Sequence, residues 1–124
     1  MKNRKAQTYD KGVEAEKVAA NWLRIKGYKI LETRYKTKFG EIDLIVAKKN
    51  LIAFVEVKAR ADKGRALESI TPKMQERITQ AAMYYISQNE VGTCDLRFDV
   101  VTVSPTFMGM SCIEHLDNAW EASA

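Results

Sequence analysis

The sequence predicts an α/β fold, a mixed sheet with helices on both faces, and three observations predict it. A helical stretch opens the chain, three strand-like runs follow it, and a second helix leads on to a further strand. The middle strands carry apolar residues on both of their sides, which requires cover on both faces of the sheet. A helical crossover after a hairpin returns the next strand parallel to a neighbour, so the sheet is mixed. At 124 residues, 46% apolar and 29% charged, the chain has the length and balance of one ordered domain, and residues 1–124 are read as one.

From about Asp10 to Lys26, Ala15, Val18, Ala19, Trp22 and Leu23 recur at helical spacing, and Gly27 supplies a C-terminal stop. Glu14, Lys17, Asn21 and Arg24 share the polar side. Glu16 instead falls beside Leu23 at the edge of the apolar arc, an unusual place for a surface charge. The strand-like runs are Lys29–Tyr35, Glu41–Lys48 and Leu51–Ala59, the last two joined by Lys49-Asn50, which reads as a tight hairpin turn.

Residues 61–70 read as a mobile loop. Thr71-Pro72 then starts a helix with an N-cap and a proline at its first position, and the helix runs to about Gln88. Met74, Ile78, Ala81, Ala82, Tyr85 and Ile86 face inward along it, and Lys73, Arg77, Gln80 and Tyr84 flank them. After Gly92-Thr93, Leu96–Val103 is strongly strand-like and Met110–His115 more weakly so. No internal repeat or low-complexity tract interrupts this order.

The formal net charge is +4, unevenly spread. Residues 1–65 hold 17 Lys/Arg against 8 Asp/Glu, whereas residues 66–124 hold 3 against 8. The basic half is where a polyanion would sit, although such an excess taken by itself is more often a solvated charged surface. Cys94 and Cys112 lie far apart and there is one histidine, so a zinc site lacks ligands and the cysteines read as two buried, reduced thiols. The basic start, Met1–Lys5, is followed by no apolar run of signal-peptide or membrane-spanning length; the expected location is the cytoplasm, with no membrane partner.

A two-residue turn at Lys49-Asn50 fixes a register. Lys48 pairs with Leu51, and counting back places Asp43 opposite Glu56 and Glu41 opposite Lys58. On that side Ile45 faces Phe54 and Ala47 faces Ile52; Ile42, Leu44, Val46, Ala53, Val55 and Val57 fill the other. Opposed side chains lie about 5 Å apart, where two carboxylates repel by roughly 3 kcal/mol at an effective dielectric near 20. A shared proton, a cation or a bound metal must offset that, and Lys58, two residues from Glu56 on the same face, is one such cation.

With Glu16, three carboxylates and a lysine converge at one end of the sheet. Phosphodiester hydrolysis needs such a set: carboxylates to hold Mg²⁺, which activates water and neutralises phosphate charge, and a lysine to stabilise the transition state. An ion-pair cluster, with Glu56 bonded to Lys58 or Arg60, accounts for the same residues.

Gly40-Glu41-Ile42-Asp43-Leu44-Ile45 and Phe54-Val55-Glu56-Val57-Lys58-Ala59-Arg60 resemble the YraN-type family of bacterial proteins. More distantly they resemble archaeal Holliday-junction resolvases and other PD-(D/E)xK nucleases. The likeness extends to Gly12–Glu16, the Lys73 helix and Arg97-Phe98-Asp99-Val100-Val101. It implies a restriction-endonuclease-like α-β-β-β-α-β core and a metal-dependent endonuclease acting on DNA, including branched or structured DNA. By the same resemblance Asp43 and Glu56 are ligands for Mg²⁺ or Mn²⁺, and Lys58 is the catalytic lysine. Glu16 becomes a further ligand or water-orienting acid, and Gln80 or Lys73 a contributor from the second helix. Ile42 stands where the family motif has its proline.

Lys73, Arg77 and Gln80, with Tyr84, form a stripe suited to phosphate contact and base stacking, or a plain solvated flank. Arg60, Lys63 and Arg65 follow the E-x-K strand and suit a DNA backbone near the cut. Asp99 reads as a buried, hydrogen-bonded aspartate, His115 has no partner pattern, and Trp22 and Trp120 read as core or interface aromatics. A two-fold homodimer would present two copies of one site to two strands. A non-catalytic nucleic-acid-binding module and a protein-interaction subunit are the competing functions.

Overall fold

Helix α1 spans Arg4–Ile25, beginning earlier than the apolar periodicity suggests. It ends where Gly27 takes φ 99°, a left-handed conformation that lets the Gly27 and Tyr28 N–H groups reach back to the Arg24 and Leu23 carbonyls. The computed structural model of the chain describes residues 4–59, 63–105 and 110–122, with side chains described for 12–59, 66–104 and 110–122. Strands β1 (Lys29–Lys36), β2 (Glu41–Lys48) and β3 (Leu51–Lys58) follow α1 as an antiparallel meander.

The segment expected as a loop instead carries a short helix, α2 (Lys63–Glu68). Ala66 and Ile70 are buried there, two apolar anchors in a stretch that reads as a loop from sequence. Helix α3 (Pro72–Gln88) starts as its sequence directs: Thr71 Oγ1 accepts the Met74 N–H at 3.2 Å and Pro72 opens the first turn. Strand β4 (Asp95–Pro105) returns parallel to β3, and β5 (Ser111–Trp120) is a full edge strand where a weak one was expected. The five-stranded mixed sheet has the order β1-β2-β3-β4-β5.

Each face of the sheet buries its own cluster. Ala15, Ala19 and Leu23 of α1 pack on Leu44, Val46, Ala53, Val55 and Val101. On the opposite face Ile78, Ala81, Ala82 and Tyr85 of α3 pack on Ile45, Phe54, Phe98 and Val100. Leu23 and Phe54 are wholly buried, and each such side chain stabilises the fold by about 2 kcal/mol. Ile42 departs from expectation by packing with Ile45 on the α3 side. It lies past the last β2–β3 rung but still pairs with Tyr35 of β1, next to Arg34 at φ 51°.

The thiols also differ from expectation: Cys94 is half-buried and Cys112 exposed, the latter on the edge strand. Among the described residues no helix is long and apolar enough to cross a membrane.

Candidate active site

The hairpin at Lys49-Asn50 forms as predicted, with Lys49 at φ 55°, and Lys48 pairs with Leu51, Ile45 with Phe54 and Leu44 with Val55. The ladder stops there, one rung short of the expected Asp43–Glu56 pair and three short of Glu41–Lys58. In place of the next rung, Asp43 Oδ2 accepts the Val57 N–H at 2.8 Å. The two side chains still lie close enough for each to weigh on the other's ionisation, and both line one cleft. Lys58 Nζ stands 3.5 Å from Glu56 Oε1, so the expected ion pair and the expected acid pair coexist.

Glu16 reaches this group from the α1 side. It lies close enough to Asp43 for the two charges to repel and 3.7 Å from Arg34 Nε, and with Arg34 and Leu44 it lines a pocket of its own. Burial, with the Asp43 charge next in weight, pushes the Glu16 carboxyl up to about 7 despite Arg34. Burial likewise raises Glu56, reinforced by Asp43, and Lys58 only partly counters it. Asp43 is raised by burial too, against the Val57 N–H and Lys58; the exposed Glu41 adds a further repulsion. Three acids thus share one sheet end with too little positive charge to ionise freely.

A cleft of about 690 Å³ opens on this end, lined by Lys36–Glu41, Asp43, Glu56, Met74, Arg77 and Ile78. Its lining shows how α3 contributes. Arg77 faces the same space as Asp43 and Glu56, whereas Lys73 and Gln80 line a separate depression with Trp120 and Glu121. The stripe expected beside the site is therefore split between two surfaces. Arg60 lies outside the described residues; Lys63 and Arg65 sit on α2, with side chains outside them.

The donors are carboxylate oxygens, which suit Mg²⁺ or Mn²⁺ and not a soft metal. Among the described residues no three His, Cys, Asp or Glu side chains form a ready metal-binding group. Mg²⁺ commonly takes one or two carboxylates and fills its remaining positions with water and phosphate, and Asp43 with Glu56 fits that pattern.

Sequence reasoning missed Lys36 at the end of β1, Lys38 and Phe39 on the β1–β2 turn, and Arg34 beside Glu16. Phe39 did leave a signal, a large aromatic in a tight turn between strands. Arg34 left none: a register shift between Ile30 and Glu32 and φ 51° at Arg34 itself break the two-residue alternation of β1.

Asp99 is buried and hydrogen-bonded, as expected, and lies apart from the acid group. Both its oxygens bind Arg97 at 2.8 Å, Oδ2 meets His115 Nε2 at 2.7 Å, and Oδ1 accepts the Asn118 N–H at 3.0 Å. His115, the residue without a partner pattern, is thus held by Asp99, with Trp22 against its ring. Trp120 is a core residue stacked on Phe98.

The model of the uncharacterised protein family UPF0102 matches residues 15–103. A UPF0102 protein of Rhodopseudomonas palustris strain HaA2 is 44% identical over 116 residues, 93% of this chain and 88% of that one. One from Agrobacterium fabrum is 49% identical over 105 residues, 84% of each chain. One from Bradyrhizobium diazoefficiens is 43% identical over 113 residues, 90% of this chain and 82% of its own. The matched segment holds Glu16, Asp43, Glu56 and Lys58 together, and the chain belongs to the UPF0102, or YraN-type, family.

Proposed function

We propose that this protein is a divalent-metal-dependent endonuclease that hydrolyses phosphodiester bonds in DNA. The observation that carries the reading is that Asp43 and Glu56 share the wall of a cleft that also holds Lys36, Lys38 and Arg77, while Lys58 Nζ stands 3.5 Å from Glu56 Oε1. Such a cleft receives a phosphate backbone at its cationic side and presents it to the acids. Asp43 and Glu56 would hold Mg²⁺ or Mn²⁺, which when bound supplies an activated water and neutralises phosphate charge.

The chain's own side chains do the rest. Lys58 places a cation beside the phosphate oxygens, where it offsets charge developing in the transition state. Glu16, beside Asp43 and 3.7 Å from Arg34 Nε, is the acid available to orient a water. The Val57 N–H fixes the Asp43 carboxylate, so this acid is preorganised by backbone as well as by its neighbours.

Purified protein with Mg²⁺ or Mn²⁺, offered branched, single-stranded and duplex DNA, is expected to nick at least one of them. Asp43→Asn and Lys58→Ala should each abolish the cut; undiminished cleavage by both variants would remove the assignment.

A second reading, a nucleic-acid-binding module without turnover, draws on the absence of a three-acid metal group among the described residues. Salt-sensitive DNA binding that survives Glu56→Gln, with no cleavage under any metal, would select it.

A further inference from the structure

The turn between β1 and β2 is built more rigidly than a simple connection requires. Thr37 Oγ1 accepts the Phe39 and Gly40 N–H groups at 3.0 and 3.1 Å and donates to the Gly40 carbonyl at 2.8 Å. The Thr37 N–H also reaches the Gly40 carbonyl, at 2.9 Å. Gly40 packs so closely on α3 that a Cβ there would lie 2.9 Å from the Arg77 carbonyl oxygen. The turn is therefore pinned to α3, and what it pins is an aromatic ring facing solvent.

Phe39 is 38% exposed and Tyr84, across from it on α3, is 40% exposed. Their ring centres are 6.1 Å apart and the planes are tilted by 54°, so the rings do not cover one another's faces. Lys38 Nζ lies 5.2 Å from the Phe39 ring centre. Lys36, Thr37, Lys38 and Tyr84 line a depression of about 430 Å³, and Lys36, Thr37 and Lys38 continue into the cleft that holds Phe39, Arg77, Asp43 and Glu56. Partly exposed aromatic rings, one with a lysine ammonium over it, and further cations on one path to the acid group match the combination that binds single strands. Bases stack on rings, and lysines and arginines track the phosphates. A paired base inside a duplex has both faces covered by its neighbours, whereas an unpaired one has a face to offer.

We infer that Phe39 and Tyr84, with Lys36 and Lys38, form a stacking platform for an unpaired nucleotide, so that the strand entering the cleft is single-stranded at this point. The inference names the substrate class of the proposed nuclease site and rests on that reading for its link to cleavage. The binding itself does not depend on it. Tails, flaps, gaps and branch points in DNA, and single-stranded RNA, share this chemistry.

The test is fluorescence anisotropy in EDTA, where no metal-dependent cut can occur. The probes are labelled oligonucleotides of roughly 12 nucleotides, the span of one single-strand site: oligo-dT, oligo-U and a blunt DNA duplex. Wild type should bind a single-stranded probe more tightly than the duplex. The double variant Phe39→Ala/Tyr84→Ala should lose about tenfold or more of that affinity, because each stacked base contributes an interaction of that size. Phe39→Trp should retain it, and Lys36→Ala/Lys38→Ala should flatten the salt dependence. Circular dichroism on each variant separates lost binding from lost fold.

Equal single-strand affinity in wild type and a folded double alanine variant overturns the platform, as does tighter binding to duplex or no binding to any probe. The oligo-dT and oligo-U arms distinguish DNA from RNA. Platform-dependent binding without cleavage under any metal would sink only the nuclease reading. Asp43-dependent cleavage with affinity indifferent to Phe39 and Tyr84 would sink only the platform.

Discussion

Asp43 Oδ2 takes the Val57 N–H at 2.8 Å, so a side chain replaces the backbone rung at the point where β2 and β3 part. The bond holds one carboxyl against Glu56 although both are disfavoured as charges there. Glu56→Gln should therefore stabilise the metal-free protein at neutral pH by about 1 kcal/mol, the scale of one unit of carboxyl shift. With excess Mg²⁺ the order should reverse, because wild type gains a thermal shift that the variant lacks. Thermal melts with and without the metal check both signs.

Lys58 and Asp43 should fail differently. On the proposed reading Lys58→Ala removes the cation offered to the phosphate, and it should lower cleavage by about 100-fold or more while leaving metal binding in place. Asp43→Asn should lose both. Parallel cleavage assays and metal titrations distinguish the two patterns.

Gly40→Ala puts a methyl carbon 2.9 Å from the Arg77 carbonyl oxygen, a backbone atom that cannot rotate away. The β1–β2 turn or α3 must shift, at a cost of about 1–3 kcal/mol. Urea unfolding should report that loss. Because the turn carries Lys38 and Phe39, single-strand binding should weaken along with it.

The buried Asp99 makes a pH prediction. Burial alone would raise its pKa, but His115, Arg97 and the Asn118 N–H together hold it below its ordinary 3.8. A depressed folded-state value means the stabilisation is present above pH 3.8 and is lost as pH falls through the lower folded value. Asp99→Asn leaves Arg97 without its buried counter-charge and should cost about 3 kcal/mol at pH 7. Unfolding curves at pH 7 and pH 3 should show the gap between wild type and variant narrowing at the lower pH.

The acid pair was legible because a two-residue turn makes register a matter of counting, and Leu44–Val55 through Lys48–Leu51 pair as counted. The Gly27 stop and the Thr71-Pro72 start were legible because each is a local event with one chemical cause. The side-chain rung at Asp43 could not be counted, since it replaces the pairing that counting assumes. Arg34 was hidden by irregularity in β1, and α2, six residues long, is too short to show a helical period. The separation of Lys73 and Gln80 from Arg77 depends on where the β1–β2 turn docks, a tertiary fact absent from the periodicity of α3.

Isothermal calorimetry of Mg²⁺ and Mn²⁺ into wild type and Asp43→Asn tests the central claim without a choice of nucleic acid. Saturable binding to wild type is expected, lost in Asp43→Asn with the variant still folded by circular dichroism. Equal binding by both proteins, or no binding to wild type by either ion, would contradict it.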